Sequence, residues 1–122
     1  MIQFDRESFH PRNKTIDSLD IQNLLNDFFL EKYDLDSFKI NDVSSKKNIL
    51  NNSVLFLDEK SKSEVLNKKN VLIITNNKKI FNDKLNHNLV LVSNLSKSYN
   101  LLVNKLFFHE DSIDFKDEYN LL

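Results

Sequence analysis

Apolar residues recur along this chain with two different periods. Between residues 15 and 30, Ile21, Leu24, Leu25, Phe28 and Phe29 step by three and four, which predicts an amphipathic helix. Thr15 or Ser18 can cap its start, and Lys32 suits the dipole near its end. Residues 38–43 (FKINDV) roughly alternate apolar with polar and read as a half-buried strand, and residues 53–57 (SVLFL) as a second one. Val71, Leu72, Ile73 and Ile74 form an unbroken run rich in β-branched side chains, and Leu89–Val92 repeats the signal; such runs belong to strands covered on both faces. Short helices are predicted over 61–67, with Val65 and Leu66 inward, and over 79–85. A second long helix is predicted over 95–108, with Tyr99, Leu102, Val103, Leu106 and Phe107 as its apolar stripe and Asn94 or Ser96 as its cap.

This succession places the chain in the α/β class, as a small sheet of about four to five strands with short crossover helices and two longer packed helices. No internal repeat is visible. Residues 1–14 read as an extended arm broken by Pro11, residues 15–108 as the folded domain, and residues 109–122 as a polar, mostly acidic tail.

Composition narrows the options. The 122 residues suit one domain, and 17 basic against 18 acidic residues give a net charge of -1. That balance offers no pull on nucleic acid or anionic lipid. The absence of cysteine excludes disulfides, thiolate metal sites and a cysteine nucleophile. The first residues lack the apolar core of a signal peptide, and no stretch approaches the ~20 apolar residues of a membrane span, so a cytoplasmic location is expected. Glycine and alanine are missing, proline occurs once, and Asn and Lys abound, the composition that AT-rich coding produces. Without glycine, phosphate-cradling loops and dinucleotide fingerprints are excluded. Backbone positions with positive φ must fall to Asn or Asp, with Asn51-Asn52 and Asn76-Asn77 as the expected places.

Candidate chemistry is sparse. His10, His87 and His109 stand far apart, none at metal-ligand spacing from another, so no metal or other cofactor is expected. No serine sits in a glycine-flanked nucleophile elbow. Asp58-Glu59 reads as a solvated strand end, and the Lys46-Lys47, Lys68-Lys69 and Lys78-Lys79 pairs as solvated turns. Phe28, Phe29, Phe107 and Phe108 lie on predicted helical faces. Phe56 differs, because the end of a strand in an α/β fold is where ligands tend to bind.

Several segments, in order and spacing over residues 9–108, resemble the N-terminal, non-repeat domain of UDP-3-O-acylglucosamine N-acyltransferases of lipid A biosynthesis. Val54-Leu55-Phe56-Leu57 is similar to that family's I-S-F-L strand, and Glu64-Val65-Leu66 falls where a short helix closes with Leu. Val71-Leu72-Ile73-Ile74 is similar to its A-V-I-V strand. Ile40 to Ser45 is similar to a strand entering a turn, and Leu89 to Asn94 followed by Tyr99 is similar to L-V-V-x-N-P and the tyrosine of the next helix. The Mur-ligase N-terminal domain shares the succession of elements, but its glycine-rich signature has no counterpart here.

The resemblance implies a fold of the Mur-ligase N-terminal type and a site for the uracil of a UDP-sugar. In that family a phenylalanine and a tyrosine of an F-L-x-N-P-x-Y segment sandwich the ring while the Asn contacts its edge. The phenylalanine position is Phe56, but Glu59 stands at the Asn, Lys60 at the Pro and Lys62 at the Tyr. Asn52 replaces a glycine and Leu95 a proline. The catalytic β-helix of hexapeptide repeats has no counterpart in the sequence, and His109 matches a junction position rather than a catalytic one. The resemblance therefore implies a stand-alone UDP-sugar recognition domain, inactive alone, monomeric, and paired with a separately encoded acyltransferase repeat domain. The alternatives are an interaction or scaffold domain that has lost uridine, or a truncated gene remnant.

Overall fold

The computed structural model describes residues 15–107. The elements run β1 (Ile16–Asp17), a 3-10 turn (Ser18–Asp20), α1 (Ile21–Leu24), β2 (Phe29–Tyr33), β3 (Lys39–Ile40), β4 (Asp42–Ser44), β5 (Ser53–Leu57), β6 (Val71–Thr75), α2 (Lys78–Asp83), β7 (Leu89–Val92) and α3 (Leu95–Phe107). The arm expected over 1–14 and the tail expected over 109–122, with His10 and His109, lie outside the described residues.

The protein is α/β. Five strands form one mixed sheet in the order β2-β7-β6-β5-β4. β4 through β7 run parallel and β2 closes the far edge antiparallel to β7. β1 and β3 make a separate two-stranded ribbon, pairing Ile16 with Ile40. No β-helix repeat occurs among the described residues.

Strand alternation divides the core in two. Val54, Leu72, Ile74, Val90 and Val92 face Ile21, Leu25, Leu102 and Leu106, with Phe56 packed against their margin. Leu55, Leu57, Ile73, Leu89 and Leu91 face the other way, onto Ile80 and Phe81 of α2 and the partly buried Ile49 and Leu66. All five β6 residues are buried, as expected of a central parallel strand. Complete burial of Leu72 or Ile74 contributes about 1.5–3 kcal/mol each.

The first predicted helix is the main correction. Residues 15–30 form no long helix: α1 is one turn, and the chain re-enters the sheet at Phe29. Two competing interactions account for this. The Ser18 hydroxyl donates to the Asp36 carbonyl and accepts from the Phe38 N–H at 3.0 Å, holding the start of the segment in a tight turn. Downstream, the apolar strand β7 needs a partner on its open edge, because unpaired buried backbone groups are costly. β2 supplies it, pairing Lys32 with Val90 and Tyr33 with Leu89. One turn already buries Ile21 and Leu25 completely, so a longer helix would add little. The outer edge of β2 has no strand partner among the described residues; Leu30 there is 51% exposed, and Glu31 and Lys32 are exposed.

The helix predicted over 61–67 is also absent, and Val65 points outward at 65% exposure. The Asn86 side chain takes up this segment's backbone groups instead: its Oδ1 accepts from the Leu66 N–H at 2.8 Å, and its Nδ2 donates to the Glu64 carbonyl at 2.7 Å. The strand predicted over 38–43 is split into β3 and β4, which join different sheets. Positive φ occurs at Asp34, Asn52, Asn70, Lys84 and Asn88. The Asx rule therefore holds at four of these five positions, and Asn52 is among those expected. Asn76 and Asn77 do not take this conformation; Asn77 instead caps α2, accepting from the Lys79 and Ile80 N–H groups.

Candidate ligand cleft

Parallel strands deliver their carboxyl ends to one rim of the sheet, and the residues that follow β5, β6 and β7 meet there. Phe56, Asp58 and Glu59 come from β5 and its exit, Asn76 from the exit of β6, and Ser93 to Ser96 with Tyr99 from the exit of β7 and the start of α3. Together they line an open cleft of about 470 Å³.

Phe56 is half-buried and packs its ring against Tyr99, with centroids 5.0 Å apart and planes inclined at 72°. This is an edge-to-face pair, worth about 0.5–1.5 kcal/mol beyond the area it buries. It leaves no room for a flat ligand between the two rings, since two van der Waals contacts need roughly 7 Å. A flat ligand can instead lie on the open face of either ring, and Tyr99 is 43% exposed.

Polar groups fix the shape of the rim. Asp58 accepts from the Lys60 N–H and the Ser61 hydroxyl, both at 3.0 Å, and Lys46 lies 3.8 Å away. The Ser61 hydroxyl is the main cause of an Asp58 carboxyl held below the ordinary carboxylate range, so Asp58 is anionic at neutral pH. The Glu59 side chain has no hydrogen-bond or ion-pair partner among the described residues, while its carbonyl accepts from Asn77 Nδ2 at 3.2 Å, tying the β5 exit to the β6 exit. Asn94 Oδ1 accepts from the Lys97 N–H at 3.0 Å and caps α3. Asn76 Oδ1 is out of solvent with no donor among the described residues; a buried acceptor left unpaired costs about 1–3 kcal/mol.

Of the three candidates raised by the sequence, Phe56 and Glu59 meet in this cleft and Lys62 does not. Lys62 lines a shallow recess of about 130 Å³ on the opposite sheet face, with Leu55, Leu57 and Leu66. The turn closed by the Ser61 N–H on the Asp58 carbonyl, at 3.1 Å, carries the chain over the rim to that side. Lys62 therefore cannot replace the second aromatic wall; the ring beside Phe56 belongs to Tyr99. The sequence pattern had placed Tyr99 on the inward stripe of the last helix. Its position in the first turns of a helix that follows a parallel strand was the available signal for a place at the rim. Asn76 carried no signal apart from following an apolar run.

A second hollow, about 420 Å³, opens at the opposite rim between Val65, Leu66, Lys68, Lys69, Leu85 and His87. His87 pairs there with Asp34 through Nδ1 and Oδ2. No group of three or more His, Cys, Asp or Glu that could hold a metal ion occurs among the described residues. No described helix is long and apolar enough to cross a membrane. No family model matches the chain, and neither a curated protein nor a solved structure matches it.

Proposed function

We propose that this protein is a recognition module for the uridine end of a nucleotide sugar, without acyl transfer of its own. The observation that carries the reading is the half-buried Phe56 beside Tyr99 in a cleft at the carboxyl ends of β5, β6 and β7, with the amides of Asn76 and Asn94 on the same rim. A flat heterocycle is held by an aromatic face and given orientation by a few amide groups. The resemblance of the sequence to the non-repeat domain of UDP-3-O-acylglucosamine N-acyltransferases supports uracil as the ring. In this reading the chain is a cytoplasmic monomer that serves a separately encoded acyltransferase repeat domain of lipid A biosynthesis.

Two observations favour a second reading, an interaction domain that has lost uridine. The Phe56–Tyr99 contact closes the gap that a sandwiched ring would need, and Lys62 lies across the sheet. Titrating isotope-labelled full-length protein with uridine and UDP-N-acetylglucosamine, followed by NMR, separates the two. The recognition reading expects uridine to shift resonances of Phe56, Asn76 and Tyr99, with the effect lost in Phe56→Ala. No shift at millimolar uridine would leave the interaction-domain reading standing alone.

A further inference from the structure

We infer that the hollow at the opposite rim is a second ligand site, for a small zwitterion with an apolar body: an amino acid or a short peptide. The site shares no lining residue with the aromatic cleft and stands apart from the base-recognition reading.

Sheet order builds this rim. β6 and β7 begin here at Val71 and Leu89, and the antiparallel β2 ends here at Tyr33. The chain before β6 brings Lys68 and Lys69, the chain before β7 brings Asn86 to Asn88, and the chain after β2 brings Asp36. β7 lies between β2 and β6. Two strand spacings therefore set those outer strand ends roughly 10 Å apart, with Asp36 beyond one and the lysines before the other. Amide side chains tie these walls down. Asn86 binds the Leu66 N–H and the Glu64 carbonyl at 2.8 and 2.7 Å, and Asn88 Oδ1 accepts from the Asp36 N–H at 2.6 Å. Asn51 Oδ1 accepts from the Lys69 N–H at 3.1 Å. A hollow with tied walls needs little ordering on binding, and its volume of about 420 Å³ suits a small molecule.

The lining combines both signs of charge with apolar surface. Leu66, Val71 and Ile73 contribute with Val65 and Leu85, which are 65% and 45% exposed. A ligand that covers these last two removes their apolar surface from water. Lys68 and Lys69 offer ammonium groups to a carboxylate, and Asp36 offers a carboxylate to an ammonium. The Asp34 carboxylate, paired with His87 Nδ1, adds a second acid on the Asp36 side. Two cations facing two acids give a simple anion or a simple cation no net preference. A molecule that carries both charges around an aliphatic side chain satisfies both sides at once.

The test is NMR titration of the isotope-labelled full chain with leucine and leucyl-leucine. Two analogues of leucine each lack one charge: 4-methylpentanoate has no ammonium and 3-methylbutylamine no carboxylate. Leucine or its dipeptide is expected to shift the amides of Val65, Leu85 and Asn86, and the tighter of the two fixes the ligand length. One opposite charge at about 4 Å in water is worth roughly fivefold in affinity, so each analogue should bind about fivefold more weakly than leucine. In Asp36→Asn the leucine-to-4-methylpentanoate affinity ratio should fall about fivefold. In Lys68→Gln/Lys69→Gln the leucine-to-3-methylbutylamine ratio should fall at least as far. Any general loss of folded protein cancels from both ratios. Either analogue matching leucine, ratios unchanged in the variants, or shifts centred on Phe56 and Tyr99 overturn the inference. So does the absence of any shift at millimolar leucine and leucyl-leucine. Uridine binding, scored in the same samples at Phe56 and Tyr99, stands or falls separately.

Discussion

Truncating Phe56 tests whether its ring belongs to the core, the cleft or both. A fully buried Phe→Ala change costs about 3–5 kcal/mol. Phe56 is only half-buried at the margin of the first core, so roughly half of that applies, and the edge-to-face contact with Tyr99 adds about 0.5–1.5 kcal/mol. The expected destabilisation is about 2–4 kcal/mol for Phe56→Ala in urea unfolding. Because Tyr99 is 43% exposed, Tyr99→Ala should cost about 1 kcal/mol. The double variant should cost less than the sum, with a coupling of about 1 kcal/mol that isolates the ring pair. Phe56→Leu keeps most of the apolar volume and is expected to stay within about 1.5 kcal/mol of the parent, while losing the aromatic face that a ligand would use. A loss below ~0.5 kcal/mol for Phe56→Ala, the range of an ordinary surface substitution, would refute the packing argument. Additivity of the two alanine changes would refute the coupling.

Asn86→Ala removes both side-chain bonds to the backbone of residues 64–66, at 2.7 and 2.8 Å, and should cost about 1–2 kcal/mol. Hydrogen exchange should speed up at the Leu66 amide before any effect reaches β6. For Asp58, a folded-state pKa held below the ordinary value by the Ser61 hydroxyl means stability that is present above pH 3.8. That stability is lost as pH falls through the lower folded value. The difference in urea midpoint between the parent and Ser61→Ala should therefore vanish in strong acid, and NMR titration of the Asp58 carboxyl should move toward the ordinary value in the variant.

Legibility in the sequence followed the strength of local pattern. β5 and β7 span the predicted Ser53–Leu57 and Leu89–Val92, because short apolar runs suit strands covered on both faces. The α/β class followed from those runs, and the last helix from its apolar stripe at steps of three and four. The stretch from Ile21 to Phe29 misled because its helical spacing also suits one turn followed by a strand. The demand of β7 for a partner decided between them, and no local window contains that demand. The 61–67 segment was set by a side chain twenty residues downstream of Leu66. The cleft was half legible. Phe56 and Glu59 sit on one short stretch, whereas Tyr99 and Asn76 join them only through the parallel order of the sheet.

The edge of β2, which has no strand partner among the described residues, has a built-in asymmetry of charge against its own copy. Two molecules joining these edges about a two-fold axis must place side chains from the same sheet face directly opposite one another. Glu31 and Tyr33 share the face of Leu91 and Leu89, whereas Lys32 shares that of Val90. A register centred on Glu31 therefore sets carboxylate against carboxylate, and one centred on Lys32 sets ammonium against ammonium. The attractive offset, Glu31 opposite Lys32, would require one molecule to present its opposite face. An edge of this kind tolerates solvent on its backbone groups without offering them to a twin, and a neighbouring chain of different charge order would find no such barrier.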